Sequence, residues 1–165
     1  MTVASPRMVV NAYFDTPMAV SHAPLIKTLT SGMCVVLFDG ERYRILALRT
    51  FESWDFPKVL VPEGEDPLKI ALDETRAATG LDDLDLNWGS DAFRETLASE
   101  DGSVSRYYLS QSKTSDVALR VPPGEGGQED FEFRWVTLEE AEDILPPRLG
   151  IILDWVAAQL ASGAR

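Results

Sequence analysis

The sequence has little of what builds disulfides, zinc sites or nucleic-acid grips. Its 165 residues hold one cysteine and one histidine. Cys34 alone cannot close an intrachain disulfide, which fits a reducing compartment, and a cytoplasmic location is expected. It lies in the apolar run Met33–Phe38, where a thiol reads as a buried core group. His22, beside Ser21, is too solitary for a zinc site or a Ser-His arrangement. No basic run appears, and 15 Lys and Arg face 27 Asp and Glu, a net charge of −12. A diffuse negative field repels nucleic-acid polymers, so none is expected as a partner. A small phosphorylated ligand stays open, because a bound divalent cation reverses the local sign. No continuous apolar stretch follows Arg7, since Asn11 and Asp15 interrupt it. Neither a signal peptide nor a membrane span is read there.

What is present suits one domain with a sizeable core. Hydrophobic residues make up 45% and charged residues 25% of the chain, the balance of a soluble globular protein. Residues 1–30, with Pro6, Pro17 and Pro24, read as an arm long enough to reach a neighbour, which leaves a homodimer open. Residues 31–160 read as the domain and 161–165 as a flexible tail. Met33–Phe38 and Tyr43–Arg49 are β-rich and flank Asp39-Gly40, a hairpin signal. Residues 50–65 read as a loop. A helix follows, with Asp66 as N-cap, Pro67 at its first position and Gly80 as its stop. Thr96–Ser99 and Val104–Ser110 flank Glu100-Asp101-Gly102 as a second hairpin. Val117–Val121 and Phe131–Trp135 read as strands around an exposed loop at 122–130. Thr137-Leu138-Glu139-Glu140 is a capping box that opens a helix to about Leu145. Leu149–Leu160 is a last amphipathic helix, with Ile151, Ile152, Trp155 and Val156 on its packed side. Helices on a mixed sheet follow from this order.

The run from Trp54 through Phe56-Pro57-Lys58, Gly64-Glu65-Asp66-Pro67, Ala71 and Asp73-Glu74 to Gly80-Leu81 resembles a Nudix box. That pattern sets a Gly, a Glu, an Arg-Glu pair, an apolar residue, a Glu-Glu pair and a Gly-apolar end at fixed spacing. Glu65, Glu74, Gly80 and Leu81 match it. Val59 stands for the first Gly, Asp73 for the Arg and Thr75 for the apolar residue, and Ala77 and Ala78 replace the paired Glu. The resemblance, which covers about residues 32 to 156, implies an α/β fold, the Nudix α/β/α sandwich with a mixed sheet. It also implies hydrolysis of a pyrophosphate link in a nucleoside polyphosphate or nucleoside diphosphate derivative, with Mg²⁺ or Mn²⁺. A Nudix domain without turnover, kept as a nucleotide- or protein-binding module, is the alternative.

Cleaving such a link spreads negative charge over phosphate oxygens, which divalent cations neutralise. A helix lets carboxylates at i, i+3 and i+4 share one face. From Glu74 those positions hold Ala77 and Ala78, so a weakened metal site is expected. Glu65 and Glu74 are the metal-ligand candidates, and Glu74 is also the catalytic candidate. Glu129, ahead of Phe133-Arg134-Trp135, resembles a Glu that precedes a Tyr/Phe-Arg-Trp strand in diadenosine tetraphosphate hydrolases, and is the second catalytic candidate. Lys58 is a phosphate contact or a solvated lysine, and Arg49 a substrate-side cation or a surface arginine. Trp54 and Trp135 read as core aromatics before base-stacking platforms. Arg76 can pair with Asp73.

Overall fold

The computed structural model describes residues 28–50, 53–120 and 131–162. The expected arm falls mostly on residues 1–27, outside the described residues, as do His22 and Glu129. Among the described residues the chain runs β1 (Thr28–Phe38), β2 (Tyr43–Thr50), β3 (Ser53–Asp55), β4 (Lys58–Leu60), α1 (Pro67–Thr79), β5 (Leu84–Asp85) and β6 (Phe93–Glu95). It continues through β7 (Ser103–Ser112), β8 (Phe131–Val136), α2 (Leu138–Ile144), a 3₁₀ turn (Pro147–Leu149) and α3 (Gly150–Ala161).

All eight strands share one sheet. β1 and β7 pair in parallel from Thr28↔Ser103 to Val36↔Gln111. The other pairings are antiparallel: β2 with β1, β3 and β8, β4 with β1, and β5 and β6 with β7. The sheet is therefore mixed.

Strand side chains alternate between faces, and both faces of this sheet are covered. Cys34, Val36, Ile45, Ala47, Tyr107 and Leu109 meet Ala141, Leu145, Leu149, Ile152, Leu153 and Val156 of α2, the 3₁₀ turn and α3. The intervening residues Met33, Val35, Leu46, Leu48 and Tyr108 meet Ala71 and Leu81 at α1, with Leu68 and Leu72 packed against them. The result is the α/β/α sandwich. Cys34 is fully buried, and burial pushes its thiol pKa well up. Each large aliphatic side chain so buried contributes roughly 2 kcal/mol. Trp54 and Trp135 pack against the two clusters, as core aromatics should.

α1 follows its capping signals. Asp66 accepts from the Leu68 amide at 3.1 Å, Pro67 opens the helix, and Gly80 closes it at φ 76°, a left-handed turn that a Cβ would strain. Its buried stripe is Ala71, Thr75 and Thr79. Thr75 can stand at an apolar position because its hydroxyl donates to the Ala71 carbonyl at 2.7 Å, and a satisfied buried hydroxyl costs little. The Thr137 capping box is present, with both reciprocal bonds.

Three expectations change. The loop expected at 50–65 contains β3 and β4. The close approach of β4 needs Gly32, where a Cβ would lie 2.6 Å from the Pro57 carbonyl oxygen. The second hairpin forms, but its ladder is Phe93–Glu95, with Leu97 left 82% exposed on the way to the turn. Residues 117–120 are not a strand. Leu119 and Val117 do face the core in alternation, but the backbone spends its bonds on α1. Ala118 N–H donates to the Thr79 carbonyl at 2.8 Å and Arg120 N–H to the Ala78 carbonyl at 2.9 Å.

Candidate functional site

The sheet opens beside β1. Its antiparallel edge pairs with β4 at Thr30–Gly32 and with β2 at Val36–Phe38. Between the two, the Met33 amide donates to the Pro57 carbonyl at 3.0 Å. This routes Asp55-Phe56-Pro57-Lys58 along a cleft of about 380 Å³, which Glu74 and Ala78 of α1, Leu119 and Arg120 also line. Such a volume is in the range of small-ligand sites. Arg49, Lys58, Arg120 and Arg148 line it against two acids, Asp55 and Glu74. Among the described residues the lining thus holds more cations than acids, in a chain of charge −12.

Asp55 ties one end together. Its Oδ1 accepts from the Phe56 amide at 2.6 Å and the Tyr107 hydroxyl at 2.8 Å. Its Oδ2 takes Arg148 Nη2 at 2.5 Å and lies 3.1 Å from Lys58 Nζ. Burial, then the Asp55 charge, push the Tyr107 pKa far up, so this phenol stays a donor. At the other end, Glu74 is half-buried and Arg120 Nη2 stands 3.7 Å from its Oε2. Burial raises the Glu74 pKa and Arg120 draws it partly back. Arg49, opposite Glu132 across β2 and β8, pairs with its Oε1 at 2.8 Å.

The structure brings Arg49, Lys58 and Glu74 together. Glu65 is exposed on the turn before α1 and does not line the cleft. Asp73 points outward, to Lys69 at 2.7 Å and Arg76 at 3.8 Å. Ala77 is exposed and Ala78 faces the cleft. Asp55, Arg120 and Arg148 were missed. Asp55 sits inside the Trp54–Lys58 run and could have been singled out there. Arg148 is marked only by the Pro146-Pro147 stop before it. Arg120 carries no local signal.

The donor set does not fit a divalent cation among the described residues. They contain no group of three or more His, Cys, Asp or Glu side chains able to hold one. Mg²⁺ is served by one or two carboxylates with waters and phosphates, but the one acid on this face of α1 is already opposite a guanidinium.

The NUDIX domain family model matches residues 28–156. The chain belongs to the Nudix family. It is 35% identical over 109 residues to the mouse bis(5'-nucleosyl)-tetraphosphatase (asymmetrical), covering 62% of this chain and 70% of that protein. It is 24% identical over 137 residues to an RNA pyrophosphohydrolase of Bartonella bacilliformis, covering 69% of this chain and 81% of that one. In structure, the Nudix domain superposes on a C. elegans Ap4A hydrolase binary complex with a TM-score of 0.69 at 22% identity, over 82% of this chain and 98% of that one. The NUDIX domain of Shewanella oneidensis NrtR, complexed with ADP ribose, gives 0.58 at 12% identity, over 86% and 91%. These structural likenesses bear on the fold. No described helix is long and apolar enough to cross a membrane.

Proposed function

We propose that this Nudix domain takes a nucleoside polyphosphate or nucleoside diphosphate derivative into the cleft and hydrolyses a pyrophosphate link in it slowly. The observation that supports this most is that, among the described residues, the lining sets Lys58, Arg120 and Arg148 together with one half-buried acid of α1, Glu74. The likeness to the tetraphosphatase supports the substrate class. Lys58 and Arg148 hold phosphate oxygens, and Arg49 lines the same cleft. Glu74 accepts the proton of the attacking water, a task that a carboxyl group with a raised pKa suits. In the family a divalent cation supplies charge neutralisation during phosphoryl transfer. No step here is routed through one, because the described donors do not fit it. Turnover is accordingly slow. Location in the cytoplasm is part of this reading.

The test is a phosphate-release screen over nucleoside polyphosphates and nucleotide sugars, with Mg²⁺ and with Mn²⁺. Turnover lost in Glu74→Gln is the expected result. Turnover that survives Glu74→Gln moves the chemistry away from α1, and Glu129 becomes the next acid to replace. A second reading, a nucleotide-binding module without turnover, is favoured by Ala77, Ala78 and the Arg120–Glu74 pair. Binding with no phosphate release from any substrate selects it.

A further inference from the structure

At the two positions of α1 where the Nudix box places paired carboxylates this chain has Ala77 and Ala78, and a cation of its own stands beside the remaining acid, Glu74. Arg120 Nη2 lies 3.7 Å from Glu74 Oε2, and both line the cleft with Ala78. Backbone bonds build that placement. The amides of Ala118 and Arg120 satisfy the carbonyls of Thr79 and Ala78, two of the groups that a helix C-terminus leaves without intrahelical partners. Val117 and Leu119 pack into the core cluster below. Arg120 is thus anchored at its Cα while its side chain remains 55% exposed.

We propose that the cleft binds the phosphoanhydride group of its ligand without a divalent cation, with Arg120 supplying, beside Lys58 and Arg148, the positive charge that a metal supplies elsewhere in the family. The inference rests on the reading of the cleft as a nucleotide-phosphate site and deepens it. A long, half-exposed ion pair is weak. Arg120 can therefore turn from Glu74 to a phosphate at small cost, and gain the bidentate bonds that a guanidinium makes with phosphate oxygens. Lys58 and Arg148 already converge within 3.1 Å of one carboxylate oxygen of Asp55, the spacing that grips a single anionic oxygen. A cation at Glu74 would meet the Arg120 guanidinium as a like charge.

The probes are inorganic pyrophosphate and ADP, titrated calorimetrically into the full chain with EDTA and, separately, with Mg²⁺. Both should bind in EDTA, and Mg²⁺ should leave the affinity unchanged or lower it by neutralising the probe. Arg120→Ala should weaken binding by on the order of tenfold or more, the scale of a lost charge-assisted bond. Its backbone bonds are kept, so circular dichroism should not change. Glu74→Gln should tighten binding in EDTA, because it removes a negative charge and frees Arg120. At a metal site the same change weakens binding. Binding seen only with Mg²⁺, or none with either probe, overturns the proposal. So does an Arg120→Ala protein that binds as the wild type does. A parallel phosphate-release assay keeps the two readings apart. EDTA-resistant binding without turnover removes the hydrolase reading and leaves this one. Turnover with strictly Mg²⁺-dependent binding does the reverse.

Discussion

Asp55 and Glu74, the two carboxylates that line the cleft among the described residues, sit in opposite electrostatic conditions. Asp55 is 17% exposed and receives two neutral donors and two cations, none farther than 3.1 Å. Glu74 is 23% exposed and has one cation, at 3.7 Å. Near-equal burial therefore gives one acid whose charge is fully compensated and one whose charge is not. Desolvation without compensation raises a carboxyl pKa and makes the group able to exchange a proton. Asp55, with four donors on its two oxygens, holds the cleft lining together, while Lys58 and Arg148 keep further N–H groups for a phosphate. Under the proposed function, Asp55 builds the cleft and Glu74 acts in it.

Four variants probe that contrast. The largest effect should come from Asp55→Ala, which leaves Arg148, Lys58 and the buried Tyr107 hydroxyl without their shared acceptor. Leaving the buried Tyr107 hydroxyl unpaired and parting two half-exposed cations from their acceptor should cost about 2 kcal/mol, read as a lower urea midpoint. A change under about 0.5 kcal/mol, the scatter of ordinary surface substitutions, would mean that Asp55 is not structural. Next is Glu74→Gln, which should cost on the order of 10²-fold in turnover, the scale of general-base loss. Its urea midpoint should move little, the reverse of Asp55→Ala. Equal loss of stability in the two variants would erase the distinction.

A smaller gain should follow from Ala77→Glu with Ala78→Glu. Restoring two carboxylates beside Glu74 should tighten Mn²⁺ binding, by about tenfold or more, in an isothermal titration. Tight Mn²⁺ binding by the unaltered chain would show that residues outside the described ones supply ligands. The smallest effect concerns protons. Glu74 holds its proton more firmly folded than unfolded. Between its unfolded and folded pKa values the native state binds the extra proton, so this contribution to stability is full below the unfolded pKa. It is lost as pH rises through the folded one. Glu132 and Glu140, lowered by their partners, act with the opposite sign and lose stability as pH falls. Arg120→Ala should move the Glu74 titration further up, because the attraction that opposes desolvation is gone. Carbon-detected NMR of the carboxyl group measures it, and a downward move would contradict the pairing.

Much of the fold could be read along the chain because its signals are local. Asp66, Pro67 and Gly80 set the ends of α1 by capping chemistry, and the continuous apolar runs in Met33–Phe38 and Tyr43–Arg49 mark strands covered on both faces. The segment 117–120 alternates as a half-buried strand would, yet its backbone partners are helix carbonyls, and a period of two does not say what a backbone bonds to. β4 depended on a contact between Gly32 and Pro57 that only folding creates. The site was legible to the same degree. Lys58 and Glu74 lie in a recognisable run, and Arg49 ends a clear strand. Asp55 meets Arg148 from 93 positions away, and Arg120 reaches Glu74 through a turn of backbone with no pattern of its own. Charges that meet through tertiary structure leave no spacing to read.

The bonds from Ala118 and Arg120 to the end of α1 also tie the lifetime of the cleft to a local opening event. The last turn of α1 and residues 118–120 close the same hydrogen bonds, so neither can release its backbone to solvent without the other. Their amides should therefore exchange with deuterium at a common rate, as one cooperative unit. Each excursion of that unit would carry Arg120 away from Glu74 and leave the acid alone, so the ionic composition of the cleft fluctuates on the timescale of helix-end fraying.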